Sequence, residues 1–153
     1  MRLIADSGST KVDWRAILED GTVKSISTEG INPVFQTKDY IVDIFKTKLL
    51  PELGPDVKEI FFYGAGILSA ELSQTLSDAF REVFPQSVCY AASDILAAAR
   101  ALCGREAGIA CILGTGGNTS FYDGNEIVKG VKAGGFILED EASGGVLGKK
   151  PVS

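Results

Sequence analysis

The sequence predicts an α/β domain, and the order of its elements carries this prediction. Three short strand patterns open the chain in succession, and helical and strand patterns then alternate as far as residue 104. Apolar residues make up 45% and charged residues 23% of the 153 residues, which is the composition of a globular domain of ordinary size. Strands that are interspersed with helices favour a sheet covered by helices.

The first three strands are joined by short turns. Strand patterns are present in "RLIAD", "VDWRAIL" and "VKSIST", and the turn residues "EDGT" at 19–22 separate the second from the third. Consecutive strands that are connected this tightly pair antiparallel. The sequence therefore predicts a three-stranded antiparallel meander.

The segments after the meander predict a βαβα continuation, which gives βββαβαβα in all. Pro33 disfavours a helix at Asn32, so "GINPVF" is predicted as a turn. Residues 37–50 show helical spacing of apolar residues behind a capping threonine, and Pro51 lies just beyond them. A strand then ends in "FFYGAG", a helix starts at Ser69, and the short strand "SVCYAA" precedes an alanine-rich helix that Gly104 closes.

The chain then repeats its opening. "GIACILGTGGNTSFYDGNEIV" has the strand, glycine cluster, strand and turn of residues 2–22, about 108 positions later. We expect residues 1–105 to form one domain and residues 106–153 to be the incomplete beginning of a second, duplicated one. The strands between about 107 and 128 would then lack sheet neighbours, and an uncovered edge favours self-association as a homodimer.

Composition excludes several functions. The net charge of −5 and the absence of a basic stripe argue against nucleic acid as a partner. Neither a membrane span nor a signal peptide is predicted, so we expect a cytoplasmic protein without membrane contact.

The sequence has no histidine, which removes Ser–His and Cys–His nucleophile pairs. Cys89, Cys103 and Cys111 lie in apolar surroundings at no metal-binding spacing, and we expect free, buried thiols.

Two loops combine glycine with hydroxyl groups. Backbone amides in such loops can converge on an anion, since glycine lets the ligand approach closely. Asp6 precedes the first loop and can hold a hydrated Mg²⁺. A hairpin turn is the simpler interpretation of either loop alone, but two loops at equivalent places favour a clamp on the phosphates of ATP. The candidate phosphate-binding residues are Gly8, Ser9, Thr10 and Lys11 in the first loop and Thr115, Gly116 and Gly117 in the second.

"DSGSTKVDW" and "LGTGGNTSFYDG" resemble the two phosphate loops of the actin/hexokinase/sugar-kinase superfamily. In detail the chain resembles the N-acetylglucosamine kinases and the related benzoyl-CoA-reductase-type ATPases, with their motifs in the same order: "EGINP", "FFYGAG", "SDILAAARAL" and "FILEDEASGGVLG". The resemblance implies an actin-like ATPase fold, which is ribonuclease H-like. It also implies ATP-dependent phosphorylation of an amino sugar, with ATP and Mg²⁺ as cofactors.

The resemblance also implies roles for single residues. Asp94 corresponds to the base that takes the proton from the attacking sugar hydroxyl, although a carboxylate at a helix start is equally a cap or a partner of the helix dipole. Asn32 is implied to contact a sugar hydroxyl. The substrate-binding residues implied in this way are Asn32, Thr115, Asn118, Gly134, Gly135 and Asp140.

Three positions depart from the family pattern. Glu139 and Ala142 stand where the family usually has glycine, and Gly117 stands where it often has serine. A Cβ at a position that needs positive φ costs about 1 kcal/mol or more, so we expect an altered sugar pocket.

Two other functions remain open. One is an ATPase that activates a partner enzyme of the 2-hydroxyacyl-CoA dehydratase or benzoyl-CoA reductase type, although the cysteine spacing does not suggest an iron–sulfur site. The other is a non-catalytic, truncated binding remnant. A full family member has a second domain that supplies the adenosine-binding loop. We therefore expect residues 1–153 alone to show no ATP-dependent phosphorylation of N-acetylglucosamine.

Overall fold

The protein is described here by a computed structural model that covers residues 1–8, 10–67, 69–114 and 117–131. Its contacts divide it into two compact units, Met1–Asp94 and a second that begins at Ile95, and each is described by itself. The predicted domain boundary between residues 105 and 106 stays a prediction.

A five-stranded mixed sheet forms the centre of the first unit. Its order is β3-β2-β1-β4-β5, with β1–β2 and β2–β3 antiparallel and β1–β4 and β4–β5 parallel. The predicted meander and the α/β class are therefore confirmed. The strands are β1 (Arg2–Ser7), β2 (Lys11–Ile17), β3 (Val23–Glu29), β4 (Glu59–Gly64) and β5 (Val88–Ser93).

Helices follow β3, β4 and β5. The Thr37 hydroxyl accepts a hydrogen bond from the Tyr40 amide at the first helix, and the Ser69 hydroxyl accepts one from the Leu72 amide at the third. Both are helix starts that the sequence predicts. Gly104 ends the fourth helix with φ of +63°. The helices are α1 (Lys38–Ile44), α2 (Leu50–Leu53), α3 (Ala70–Val83) and α4 (Asp94–Cys103).

The helix predicted over residues 37–50 extends further than expected. A π-helical turn at Phe45–Leu49 joins α1 to α2, which continues through Pro51 to Leu53. Proline is tolerated there because it lies in the first turn of α2, where its fixed φ suits the helix and its missing N–H costs little.

Trp14 is the centre of the core on the helix-covered face of the sheet. It is fully buried, and its ring lies 6.1 Å from Phe45, 5.9 Å from Phe62 and 6.2 Å from Phe80, measured between centroids. Its indole N–H donates to the Thr28 hydroxyl at 2.9 Å. Aromatic groups from two strands and two helical segments therefore meet around one side chain, whose polar atom is satisfied within the core.

The second unit contains a second antiparallel meander. Its strands are β6 (Gly108–Leu113), β7 (Gly117–Tyr122) and β8 (Ile127–Val131). β6 begins 106 residues after β1, and β7 begins 106 residues after β2, so the sequence repeat is also a structural one. Gly124 in the turn before β8 has φ of +102°. Backbone amides donate to the Asp123 carboxylate in this turn and hold its pKa below the ordinary value.

The expectation of buried cysteines is wrong for Cys111, which is exposed. Every second side chain of β6 lies on the same face of the strand, and those of Ile109, Cys111 and Leu113 are all exposed. Cys89 is half-buried, and burial raises the pKa of its thiol to about 11. Within the described ranges, no helix has the length and apolar character to cross a membrane.

Replacing the partner of the Trp14 indole should destabilise the core. Thr28→Val keeps the shape of the side chain but leaves the indole N–H without its acceptor, which costs about 1–3 kcal/mol. Urea unfolding should show this loss for Thr28→Val and almost none for Ser27→Val, an exposed position in the same strand. Equal unfolding midpoints for the two variants would mean that the buried hydrogen bond contributes nothing.

Candidate functional site

The carboxyl ends of the parallel strands bring the candidate residues of the first unit to one edge of the sheet. Ser7 pairs with Gly64, and Gly64 pairs with Ser93, so β1, β4 and β5 end level with one another. Asp6 lies at the end of β1, and Asp94 follows the last residue of β5. Ligands in open α/β sheets bind beyond this edge.

Asp6 offers an exposed carboxylate at that edge. Among the described residues, no cation or hydrogen-bond donor pairs with it. Its direct cross-strand neighbour is Asp13 in β2, which the sequence analysis did not single out. The alternation of β1 and β2 could have shown that the two acids share one face of the hairpin. Carboxylate oxygens are the ligands that Mg²⁺ prefers, so Asp6 fits the cation role predicted for it.

The first glycine loop is closed by its own backbone. The Gly8 amide donates to the Lys11 carbonyl at 2.9 Å, so this amide is already used within the hairpin. Thr10 is exposed. The Lys11 ammonium forms an ion pair of 2.8 Å with Asp13, in which both side chains are about half exposed. Such a surface pair contributes little, and Lys11 can exchange Asp13 for another anion at small cost.

Asn32 lies in a turn that is held from several sides. The backbone N–H of Asn32 donates to Gln36 Oε1 at 2.8 Å, and Gln36 Nε2 donates to the Gly30 carbonyl at 2.9 Å. The Asn32 Oδ1 atom accepts from the Val34 amide at 3.0 Å. No described residue accepts a hydrogen bond from Asn32 Nδ2. Within the described ranges, the turn therefore fixes the side chain and leaves its two N–H donors unused.

The loop after β4 contacts the Asn32 side chain directly. Gly66 has φ of +88°, and a Cβ on it would overlap Asn32 Oδ1. Glycine is needed here both for the backbone conformation and for the close approach. Asn32 is thereby held beside the end of β4, at the edge where Asp6 and Asp94 lie.

Asp94 is the first residue of α4 and is half-buried. It stands in the first turn of a helix, as the cap interpretation requires, and at the carboxyl end of β5, as the catalytic one requires. Its position therefore agrees with both interpretations, and the choice between them needs a kinetic test.

The second unit positions only part of the second loop. Gly117 begins β7 opposite Leu113, and Asn118 pairs with Ile112. The Ser120 hydroxyl donates to Asn118 Oδ1 at 3.5 Å. The other predicted site residues lie outside the described residues, as do two of the three departures from the family pattern: Ser9, Thr115, Gly116, Gly134, Gly135, Glu139, Asp140 and Ala142.

Comparison with solved structures identifies the class of fold. The structure is similar to EutJ, the ethanolamine utilization protein from Carboxydothermus hydrogenoformans, with a TM-score of 0.55 and 14% identity over 84% of this chain and 50% of that chain. It is also similar to a non-polymerising mutant of MamK bound to AMPPNP, with a TM-score of 0.58 and 14% identity over 85% and 53% of the two chains. The chain has the actin-like ATPase fold, as the sequence resemblance implies.

A more similar structure is a putative N-acetylglucosamine kinase from Porphyromonas gingivalis. The TM-score is 0.88 and the identity 42%, over 97% of this chain and 53% of that chain. The resemblance to the N-acetylglucosamine kinases is therefore confirmed. The chain spans about half the length of this relative. No family model and no curated protein matches the chain.

The contact between Gly66 and Asn32 can be tested against a matched glycine. Gly54 also has positive φ, at +69°, but a Cβ there would meet nothing within 4 Å. Gly54→Ala should cost only backbone strain of about 1–2 kcal/mol. Gly66→Ala should cost about 1–3 kcal/mol more in urea unfolding, since its methyl group displaces Asn32. Equal losses would show that the Asn32 turn shifts without resistance.

Proposed function

We propose that the protein carrying this sequence is an ATP-dependent kinase that phosphorylates a hydroxyl group of an amino sugar of the N-acetylglucosamine class. The observation that carries the proposal is the 42% identity to the Porphyromonas gingivalis protein over 97% of this chain. The cluster of Asp6, Asn32 and Asp94 at one sheet edge supports it, because these groups suit a cation, a sugar and a proton. The test is ADP release that depends on N-acetylglucosamine.

The residues around the first loop fit Mg²⁺ and the phosphates of ATP. The exposed Asp6 carboxylate would hold the hydrated cation, and the weakly paired Lys11 would turn towards a phosphate. When bound, Mg²⁺ supplies neutralisation of the charge that phosphoryl transfer spreads over oxygen atoms. The residues proposed to hold the phosphates are Gly8, Ser9, Thr10 and Lys11 with Thr115, Gly116 and Gly117. Because the Gly8 amide is bound to the Lys11 carbonyl, the part of Gly8 is to allow close approach of the phosphate.

The sugar would bind next to the turn that holds Asn32. The two Nδ2 hydrogens of Asn32 can donate to a hydroxyl or carbonyl oxygen, while its Oδ1 atom stays bound to the Val34 amide. Because Oδ1 is already bound, the side-chain amide of Asn32 is oriented before the ligand binds. The other residues proposed for the sugar are Thr115, Asn118, Gly134, Gly135 and Asp140.

Asp94 is proposed as the general base. A chain without histidine must take a hydroxyl proton with another group, and a carboxylate at the sheet edge is a suitable one. Positioning and charge neutralisation supply most of the catalysis in phosphoryl transfer, so one placed carboxylate is enough. Location in the cytoplasm and formation of a homodimer stay predictions.

In a parent protein that carries both domains, Asp94→Asn should abolish most of the turnover while preserving the fold and sugar affinity. Loss of a general base typically lowers kcat by a factor of about 10²–10⁴. The control is Asp39→Asn, which removes the corresponding first-turn acid of α1. Steady-state kinetics of ADP release would measure both. If the two variants have the same kcat, Asp94 is a helix-dipole residue only.

Asp6→Ala should weaken Mg·ATP binding by a factor of about 10–100 and change sugar binding little, because its proposed task is to hold the hydrated cation. Isothermal titration with each ligand separately would measure this. Asp56→Ala removes an exposed acid before β4, at the opposite edge of the sheet, and should affect neither ligand. Equal weakening of both ligands by Asp6→Ala would indicate damage to the fold instead.

A further inference from the structure

The Ser7 hydroxyl is buried between two loops of the proposed site. Ser7 is 1% exposed and is the last residue of β1, between Asp6 and Gly8. Its Oγ atom donates to the Ile31 carbonyl at 2.9 Å and accepts from the Ile31 amide at 3.3 Å. One side chain thus satisfies both backbone groups of the residue before Asn32.

This contact takes the place of strand pairing for the backbone of Ile31, which lies beyond the end of β3. β3 ends at Glu29, and it pairs with β2 rather than with β1. The chain after Glu29 must therefore pass the first residue of β2 for Ile31 to reach Ser7. Ile31 is fully buried, so its polar groups need a partner there, and Ser7 supplies both.

The same residue also contacts the loop after β4. The Ser7 carbonyl accepts from the Ala65 amide at 3.0 Å, and a Cβ on Gly64 would lie 3.2 Å from Ser7 Cβ. Ala65 leads into Gly66, which lies against the Asn32 side chain. Ser7 is therefore bonded to both segments between which Asn32 is held.

We propose that Ser7 is a positioning residue for the amino-sugar substrate, acting through Ile31 on Asn32. This inference rests on the proposed function. The hydroxyl should affect the sugar more than the nucleotide, because Asp6 and Gly8 are held by strand pairing and by the bond from the Gly8 amide to the Lys11 carbonyl. Neither of these uses the Ser7 side chain.

The test compares Ser7→Ala with Ser87→Ala in the protein that carries this sequence. Ser87 is also a buried serine, and its hydroxyl donates to the Phe84 carbonyl at 2.8 Å, before β5 and at the opposite edge of the sheet. Loss of a buried hydrogen bond should lower the melting temperature of both variants. We expect the KM for N-acetylglucosamine to rise roughly tenfold in Ser7→Ala alone, with the KM for ATP within about twofold of the unsubstituted protein.

Hydrogen exchange at the Ile31 and Asn32 amides gives a second measurement that needs no ligand. Exchange there should accelerate in Ser7→Ala and stay unchanged in Ser87→Ala. If the unsubstituted protein phosphorylates the sugar but Ser7→Ala leaves its KM unchanged, the positioning role is overturned. If a parent protein that carries both domains does not phosphorylate the sugar, the proposed function has failed. Faster exchange in Ser7→Ala would then still support the hold on Asn32, and unchanged exchange would overturn that as well.

Discussion

The alternation of side chains along β1 is the constraint on which the proposed site depends. Leu3, Ala5 and Ser7 point into the core, while Asp6 points to the exposed face. A register slip of one residue would bury the carboxylate and expose the apolar residues, so the core fixes where the acid can be. Packing around Trp14 in the neighbouring strand therefore determines the placement of a polar group that it does not touch.

The parallel pairing of β1 with β4 and of β4 with β5 gathers contributions from distant parts of the sequence. Asp6 and Asp94 are separated by most of the first unit along the chain, yet they lie two strands apart, about 10 Å by the usual strand spacing. The turn around Asn32 reaches the same edge because its backbone is bonded to β1 and its side chain contacts the loop after β4. Each strand supplies one short loop, and the sheet sets the spacing between them.

Local features of the fold could be predicted from the sequence, whereas contacts across the sheet could not. The caps at Thr37 and Ser69 and the helix end at Gly104 depend on residues within one helical turn, so their signals are legible in sequence. Predicting the hydrogen bonds between Ser7 and Ile31 requires the order of the strands, which no local sequence pattern contains. The pairing of Lys11 with Asp13 was missed because a neighbouring opposite charge also suits a solvated surface.

The hairpins β1–β2 and β6–β7 are both antiparallel, but they differ in charge. The strands of the second hairpin, β6 and β7, contain no acidic residue, whereas β1 and β2 place Asp6 opposite Asp13. The acidic pair therefore belongs to the first hairpin alone, which assigns the cation to that copy if the proposed function holds. Duplication would then have supplied two similar loops, and divergence of two strand residues would have separated their tasks.

The different surroundings of the thiols affect the chemical durability of the protein. Peroxides and alkylating agents attack the thiolate form, and burial raises the pKa of the Cys89 thiol to about 11, which lowers its thiolate fraction. Cys111 is exposed on β6, so these reagents can reach its sulfur directly. Oxidants in a stored preparation should therefore reach Cys111 on the second meander before they reach Cys89 in the sheet that carries Asp6.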